Sequence, residues 1–146
     1  MKSTNYITLD FLSRSANEGF ARSAVALFAA QLDPTLDELG DIKTAVSEAV
    51  TNAIVHAYPD TLGRISMRMQ IVDGHVLEVV VRDWGCGIAD LQRAREPMYT
   101  TGGEDRSGMG FTIMESFTDR LTVRSNPGKG TRVTMRKSIL PRPGGR

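Results

Sequence analysis

The sequence predicts an α+β fold, a two-layer sandwich whose sheet is mixed but mostly antiparallel and whose helices cover one face. Three observations carry this. The apolar period changes from about 3.6 residues to about 2 on crossing Pro59. Capping-box signatures open the helical segments before that point. Short hairpin turns, not long crossovers, join the strands after it.

Ile7, Leu9 and Phe11 alternate with polar residues and predict a first strand. Ser15 with Glu18 forms a capping box, and the helix it opens is expected to bury Phe20, Ala24, Leu27 and Phe28. Asp33-Pro34 ends that helix. Thr35 with Glu38 opens a second helix to about Ala57, with a stripe of Leu39, Ile42, Val46, Val50, Ala53 and Ile54. Pro59 stops it. Ile65, Met67, Met69 and Ile71 then alternate with polar residues, Asp73-Gly74 turns the chain, and Leu77, Val79 and Val81 return. Residues 88–107 have no steady period and predict a short helix and a mobile loop. A helix from Gly110 to about Phe117 precedes a last hairpin of Leu121 to Ser125 and Thr131 to Arg136.

A chain of 146 residues fits one domain, placed at 1–138, with a basic tail at 139–146 expected to be disordered. Charged residues at 24% are ordinary for a globular protein and exclude wholesale disorder. The single cysteine excludes an intrachain disulfide and a multi-cysteine metal site, and suits a reducing compartment. The longest apolar run, Ala24 to Ala30, is far short of the roughly 20 residues of a membrane span. With no apolar stretch after Lys2, a soluble cytoplasmic protein is expected, without a membrane partner. Residues 1–119 hold 10 Lys+Arg against 17 Asp+Glu, whereas residues 120–146 hold 8 Lys+Arg and no acid. That basic end fits an acidic partner, nucleic acid or a solvated strand face; direct nucleic-acid binding is the remote reading.

Three places depart from a quiet core. Glu48 and Asn52 are one helical turn apart, and Thr44 and His56 extend their stripe. The stripe fits a solvated face, or a general base beside a ligand for a hard, hydrated cation such as Mg²⁺. Asp83-Trp84-Gly85-Cys86-Gly87-Ile88 follows a strand, so its glycines admit a close neighbour and Asp83 suits an exocyclic amine such as that of adenine. An ordinary Asp-Gly turn fits the same residues, and Cys86 is expected to be a small buried residue. Ser107-Gly108-Met109-Gly110-Phe111 opens a helix, where free amides and the helix dipole suit an anion. The preceding Tyr99–Arg106 segment is hydroxyl-rich and glycine-hinged like a lid, with Arg106 able to meet a phosphate or to pair with Glu104 or Asp105. Neither His56 nor His75 has a second ligand at useful spacing, so no transition metal is expected.

In that order, the three segments resemble the ATP-binding family of gyrase, histidine kinases, the heat-shock chaperone and MutL. Glu48-Ala-Val-Thr-Asn52-Ala resembles its N-box, Asp83-x-Gly85-x-Gly87 its first glycine box, Gly108-x-Gly110 its second, and Gly130-Thr131 its last. The longer matches, Gln31–Leu39, Ser47–His56 and Arg106–Glu115, resemble the branch of small anti-sigma factors that are also serine-protein kinases.

The resemblance implies the Bergerat ATP-binding fold, ATP and Mg²⁺ as cofactors, and a homodimer. It implies binding and inhibition of a sporulation-type RNA polymerase sigma factor, and phosphorylation of a serine on an anti-anti-sigma antagonist. By that likeness Glu48 is the catalytic base, Asn52 the Mg²⁺ ligand, and Asp83 the reader of adenine, with Thr131 assisting through water. Gly85, Gly87 and Ile88 line the nucleotide; Gly108, Met109, Gly110 and Phe111 cradle phosphates; Thr100, Thr101 and Arg106 belong to the lid. Arg22 matches a position that contacts protein partners. The segment from Thr101 to Arg106 is about one residue shorter than the family pattern and carries two glycines. The alternatives are the catalytic module of a histidine kinase, or a nucleotide-gated binding module without phosphotransfer.

Overall fold

The computed structural model describes residues 2–89 and 110–140. Strand β1 (Ser3–Leu12) leads into helix α1 (Ala16–Ala29) and a short 3₁₀ turn, then α2 (Leu36–Asn52) and a π-helical turn (Ala53–Ala57). Strands β2 (Arg64–Val72) and β3 (Val76–Asp83) follow, then α3 (Gly110–Ser116), β4 (Arg120–Asn126) and β5 (Gly130–Ser138). The five strands form one sheet in the order β1-β2-β3-β5-β4. Every neighbouring pair is antiparallel, so the sheet is not mixed.

One face of the sheet makes the core. Ile65, Met67, Met69 and Ile71 of β2 are buried, as are Leu77, Val79 and Val81 of β3 and Val133 and Met135 of β5. The helices supply the other half, chiefly Val25 and Phe28 of α1 and Ile42, Val46 and Val50 of α2. Nine apolar sheet residues buried at a period of two account for the strand pattern, because alternate side chains leave the sheet on opposite faces. The β2–β3 turn has positive φ at both Asp73 (54°) and Gly74 (79°), the backbone that a type I′ hairpin requires.

Three expectations about elements are corrected. Ser15 lies in the right-handed helical region and makes no side-chain cap, so α1 has no capping box. Glu18, its expected partner, turns away and accepts a hydrogen bond from Ser47 Oγ at 2.6 Å. The buried stripe of α1 is Ala21, Val25, Phe28 and Ala29, whereas Phe20 and Leu27 are 65% and 77% exposed. α2 buries the small residues Ala45 and Ala49 as well, and small side chains on facing helices let them approach closely. Third, α2 keeps α-helical pairing only to Asn52 and then widens into the π turn. Thr35 and Glu38, by contrast, form the full reciprocal capping box. Ile139, assigned by sequence to the tail, is fully buried, and its N–H donates to the His75 carbonyl at 2.8 Å. The last turn of the core therefore includes it.

Candidate functional site

The end of β3 and the end of α2 are tied together where the polar motifs meet. Asp83 is the last residue of β3, on the core-facing side and only 6% exposed. Its Oδ1 accepts the N–H of Gly85 at 3.0 Å and the N–H of Thr131 at 3.2 Å. Both internal bonds use one oxygen. Oδ2 has no bond to any described residue, and among the described residues no buried side-chain polar atom lacks a partner, so Oδ2 keeps contact with solvent. Burial pushes the Asp83 carboxyl above its ordinary value, and the two amide donors only partly offset this. A half-satisfied, desolvated carboxylate is strongly disposed to accept a further N–H.

The segment after Asp83 is held by backbone contacts. Gly85 lies against the Ala57 carbonyl so closely that a Cβ there would collide with backbone. Gly87 combines φ of 75° with equally close approach to the Asn126 carbonyl. On the Cβ side of both glycines the space is thus filled by protein backbone. Cys86 N–H donates to the Ala57 carbonyl at 3.1 Å, and the Cys86 carbonyl accepts from Gly128 N–H at 2.7 Å. With its neighbours' backbones making the contacts, the Cys86 side chain is exposed, not buried, and its Sγ–H points to the His56 carbonyl at 3.0 Å.

Two further residues hold this segment, and sequence reasoning missed both. Tyr58 Oη accepts the Trp84 N–H at 2.8 Å and donates to the Arg64 carbonyl at 2.7 Å. Burial raises the Tyr58 phenol above its ordinary value; the Trp84 N–H and Arg64 oppose this, and Asp83 adds to it. Ser125 Oγ accepts the Ile88 N–H at 2.8 Å and lies 2.7 Å from Thr131 Oγ1. Tyr58 stood next to a helix-stopping proline and Ser125 in an alternating strand, and neither position carries a spacing signal.

Glu48 and Asn52 are both half-buried on α2, and the π turn starts directly after Asn52. Such turns commonly sit at functional sites, because they re-aim side chains along a helix. Arg22 is partly exposed on α1 and pairs with Glu18 at 3.5 Å, the same carboxylate oxygen that Ser47 meets. Gly110 starts α3, and Phe111 is buried in the core, leaving only its backbone for a ligand. Thr100, Thr101, Arg106, Gly108 and Met109 lie outside the described residues. The site therefore joins Asp83, Ile88 and Thr131 through Gly85, Gly87, Tyr58 and Ser125, with Glu48 and Asn52 on the adjoining helix.

A sheet backed by helices, with an acidic strand end clamped to a helix that carries Glu48 and Asn52, defines the class. The family described as "Histidine kinase-like ATPase domain" matches residues 12–137. Among solved structures, the RsbU and RsbW domains of a Mycobacterium tuberculosis protein superpose with a TM-score of 0.67 at 17% identity, over 94% of this chain and 34% of that one. The mycobacterial sensor histidine kinase MprB superposes with a TM-score of 0.59 at 18% identity, over 94% of this chain and 100% of that one. Those two likenesses show the fold.

Curated relatives are much nearer in sequence. An anti-sigma F factor of a Thermoanaerobacter species is 53% identical over 140 residues, 95% of this chain and 97% of that one. An anti-sigma F factor of Geobacillus kaustophilus is 56% identical over 137 residues, 92% of this chain and 93% of that one. The chain belongs to the anti-sigma F factor family, within the histidine kinase-like ATPases. No helix among the described residues is long and apolar enough to cross a membrane.

Proposed function

We propose that this protein binds and inhibits a sporulation-type sigma factor, and that it uses ATP to phosphorylate a serine on an anti-anti-sigma protein. The observation that carries the nucleotide half is the single free oxygen of Asp83. Its other oxygen is fully used, its carboxyl is desolvated, and an adenine amine supplies the donor that Oδ2 lacks. Thr131, hydrogen-bonded to Ser125, completes the polar wall through a water. The names of the relatives support the sigma-factor half.

The donor set fits Mg-ATP. The Asn52 carboxamide offers a neutral oxygen of the kind a largely hydrated Mg²⁺ accepts, and the ion neutralises phosphate charge when bound. Glu48 orients the attacking serine hydroxyl and takes its proton as the oxygen attacks the γ-phosphorus. The bond from phosphorus to the bridging oxygen breaks, and the electron pair leaves with ADP. Gly108 to Phe111 would cradle the phosphates, and Thr100, Thr101 and Arg106 would close over them. Arg22 would meet the protein partners. The protein would work in the cytoplasm as a homodimer, to which the exposed Phe20 and Leu27 lend an uncovered apolar surface.

The test mixes the protein with γ-labelled ATP, Mg²⁺ and a candidate anti-anti-sigma protein, with Glu48→Gln as control. Acid-stable label on the partner, lost in the variant, is expected. Acid-labile label would instead identify a histidine kinase module. Nucleotide binding without transfer to any anti-anti-sigma protein tried would overturn the kinase assignment.

A further inference from the structure

The face of the sheet that no described helix covers carries a charge arrangement that folding does not require. Residues paired directly across strands share a face, and the register places Arg82 opposite Arg132, and Arg132 opposite Arg124. Three arginines therefore stand in one row across β3, β5 and β4, all exposed. Strands are about 4.8 Å apart, so the row spans only about 10 Å. Like charges placed directly opposite destabilise a sheet. Arg120 repeats the pattern opposite Arg136.

The acids on this face do not relieve the row. Asp10 pairs with Arg64 at 3.2 Å. Glu78 pairs with Arg136 at 2.6 Å and also accepts from Gln70. Arg82, Arg124 and Arg132 have no carboxylate partner among the described residues. A row of cations without carboxylate partners, kept at a cost to the sheet, is what an interface with an anionic partner looks like.

We propose that this row is a docking surface for an acidic α-helix of a partner protein. Glutamates three or four residues apart on a helix have Cβ atoms about 5–6 Å apart, close to the strand spacing that sets the row. Bidentate guanidinium–carboxylate pairing suits arginine in particular. Single-stranded nucleic acid fits less well, because it needs open aromatic faces on which bases stack. Trp84 is covered by Arg64 and Arg82, at 4.3 and 4.7 Å from its ring centre, and Tyr6 by Arg68 at 4.1 Å. The surface lies on the opposite side of the sheet from Asp83, so the proposal goes beyond the nucleotide site and does not depend on it.

The probe is an alanine-based helical peptide with a single stripe of glutamates, titrated against the full chain at low and high salt. Wild-type protein should bind it, and binding should weaken steeply with salt. Arg124→Ala/Arg132→Ala should lose roughly tenfold or more in affinity, and Arg124→Glu/Arg132→Glu should lose all measurable binding. The alanine variant should melt at or above the wild-type temperature, because the row opposes folding, and both variants should bind ATP as the wild type does. Four results would overturn the proposal: no peptide binding at low salt, peptide affinity unchanged in the variants, a lower melting temperature in the alanine variant, or tighter binding of an oligothymidylate than of the peptide.

Discussion

At the scale of single residues, Asp83 joins the fold to the proposed nucleotide chemistry. Its folded carboxyl titrates above the ordinary 3.8 because it is buried. Between 3.8 and the raised value the folded state holds the proton more tightly than the unfolded state does. Stability of the free protein therefore falls as pH rises through that window, and the penalty is fully present at neutral pH. Asp83→Asn should remove this component. Oδ1 of the asparagine still accepts the Gly85 and Thr131 amides, so thermal melts from pH 4 to 7 should be flatter than wild type. The same change should abolish the preference for ATP over GTP, because a donor would replace the free acceptor; unchanged discrimination would refute the role given to Asp83. Tyr58→Phe keeps the ring but orphans the Trp84 N–H, and should cost about 1 kcal/mol of stability. It should also weaken ATP roughly fivefold, read from Trp84 fluorescence. Equal ATP affinity would show that the clamp serves the fold alone.

At the scale of elements, the two helices show how far local signals reach. Thr35 and Glu38 form the capping box that their spacing predicts, because both ends of that bond are local. Thr35→Ala should lower stability by about 1 kcal/mol in a urea titration, with no change in ATP affinity. Ser15 and Glu18 have the same spacing and form no such box, because Glu18 has a better partner in Ser47, 29 residues away. The apolar period of α1 was legible, but its phase was not. Phe20 and Leu27 stand outside, since the face toward α2 is set by which side lets the helices pack closely. The π turn after Asn52 has no composition signal at all; it arises where the chain must bring Ala57 and Tyr58 against the first glycine box.

At the scale of the whole molecule, the sheet separates two kinds of surface. Its inner side holds the core and, at one end, the Asp83 cluster; its outer side holds the arginines. β1 is an edge strand of the sheet, and Phe20 and Leu27 of α1 are exposed. On the proposed dimer, Phe20→Ser with Leu27→Ser should raise solubility and shift sedimentation to the monomer, with little loss of stability because both side chains are already exposed. Retention of the dimer would place its interface elsewhere.

The sequence by itself determined the order of the described strands and helices, the core face of β2 and β3, the two-residue turn at Asp73-Gly74 and the family. The elements follow from periods, caps and spacings that are local along the chain, and the family from the resemblance of its contiguous motifs. It also pointed to Glu48, Asn52 and Asp83, because their motifs are contiguous. Only the tertiary structure decided the wholly antiparallel order, the phase of α1, the exposure of Cys86 and the inclusion of Ile139 in the core. It alone showed that Asp83 keeps one oxygen free, that Tyr58 and Ser125 hold the glycine box, and that three arginines share a row. The physical reason is common to all of these. Each depends on pairing between segments far apart in the chain, and register and packing partners are set by the global fit of the faces, not by any one segment.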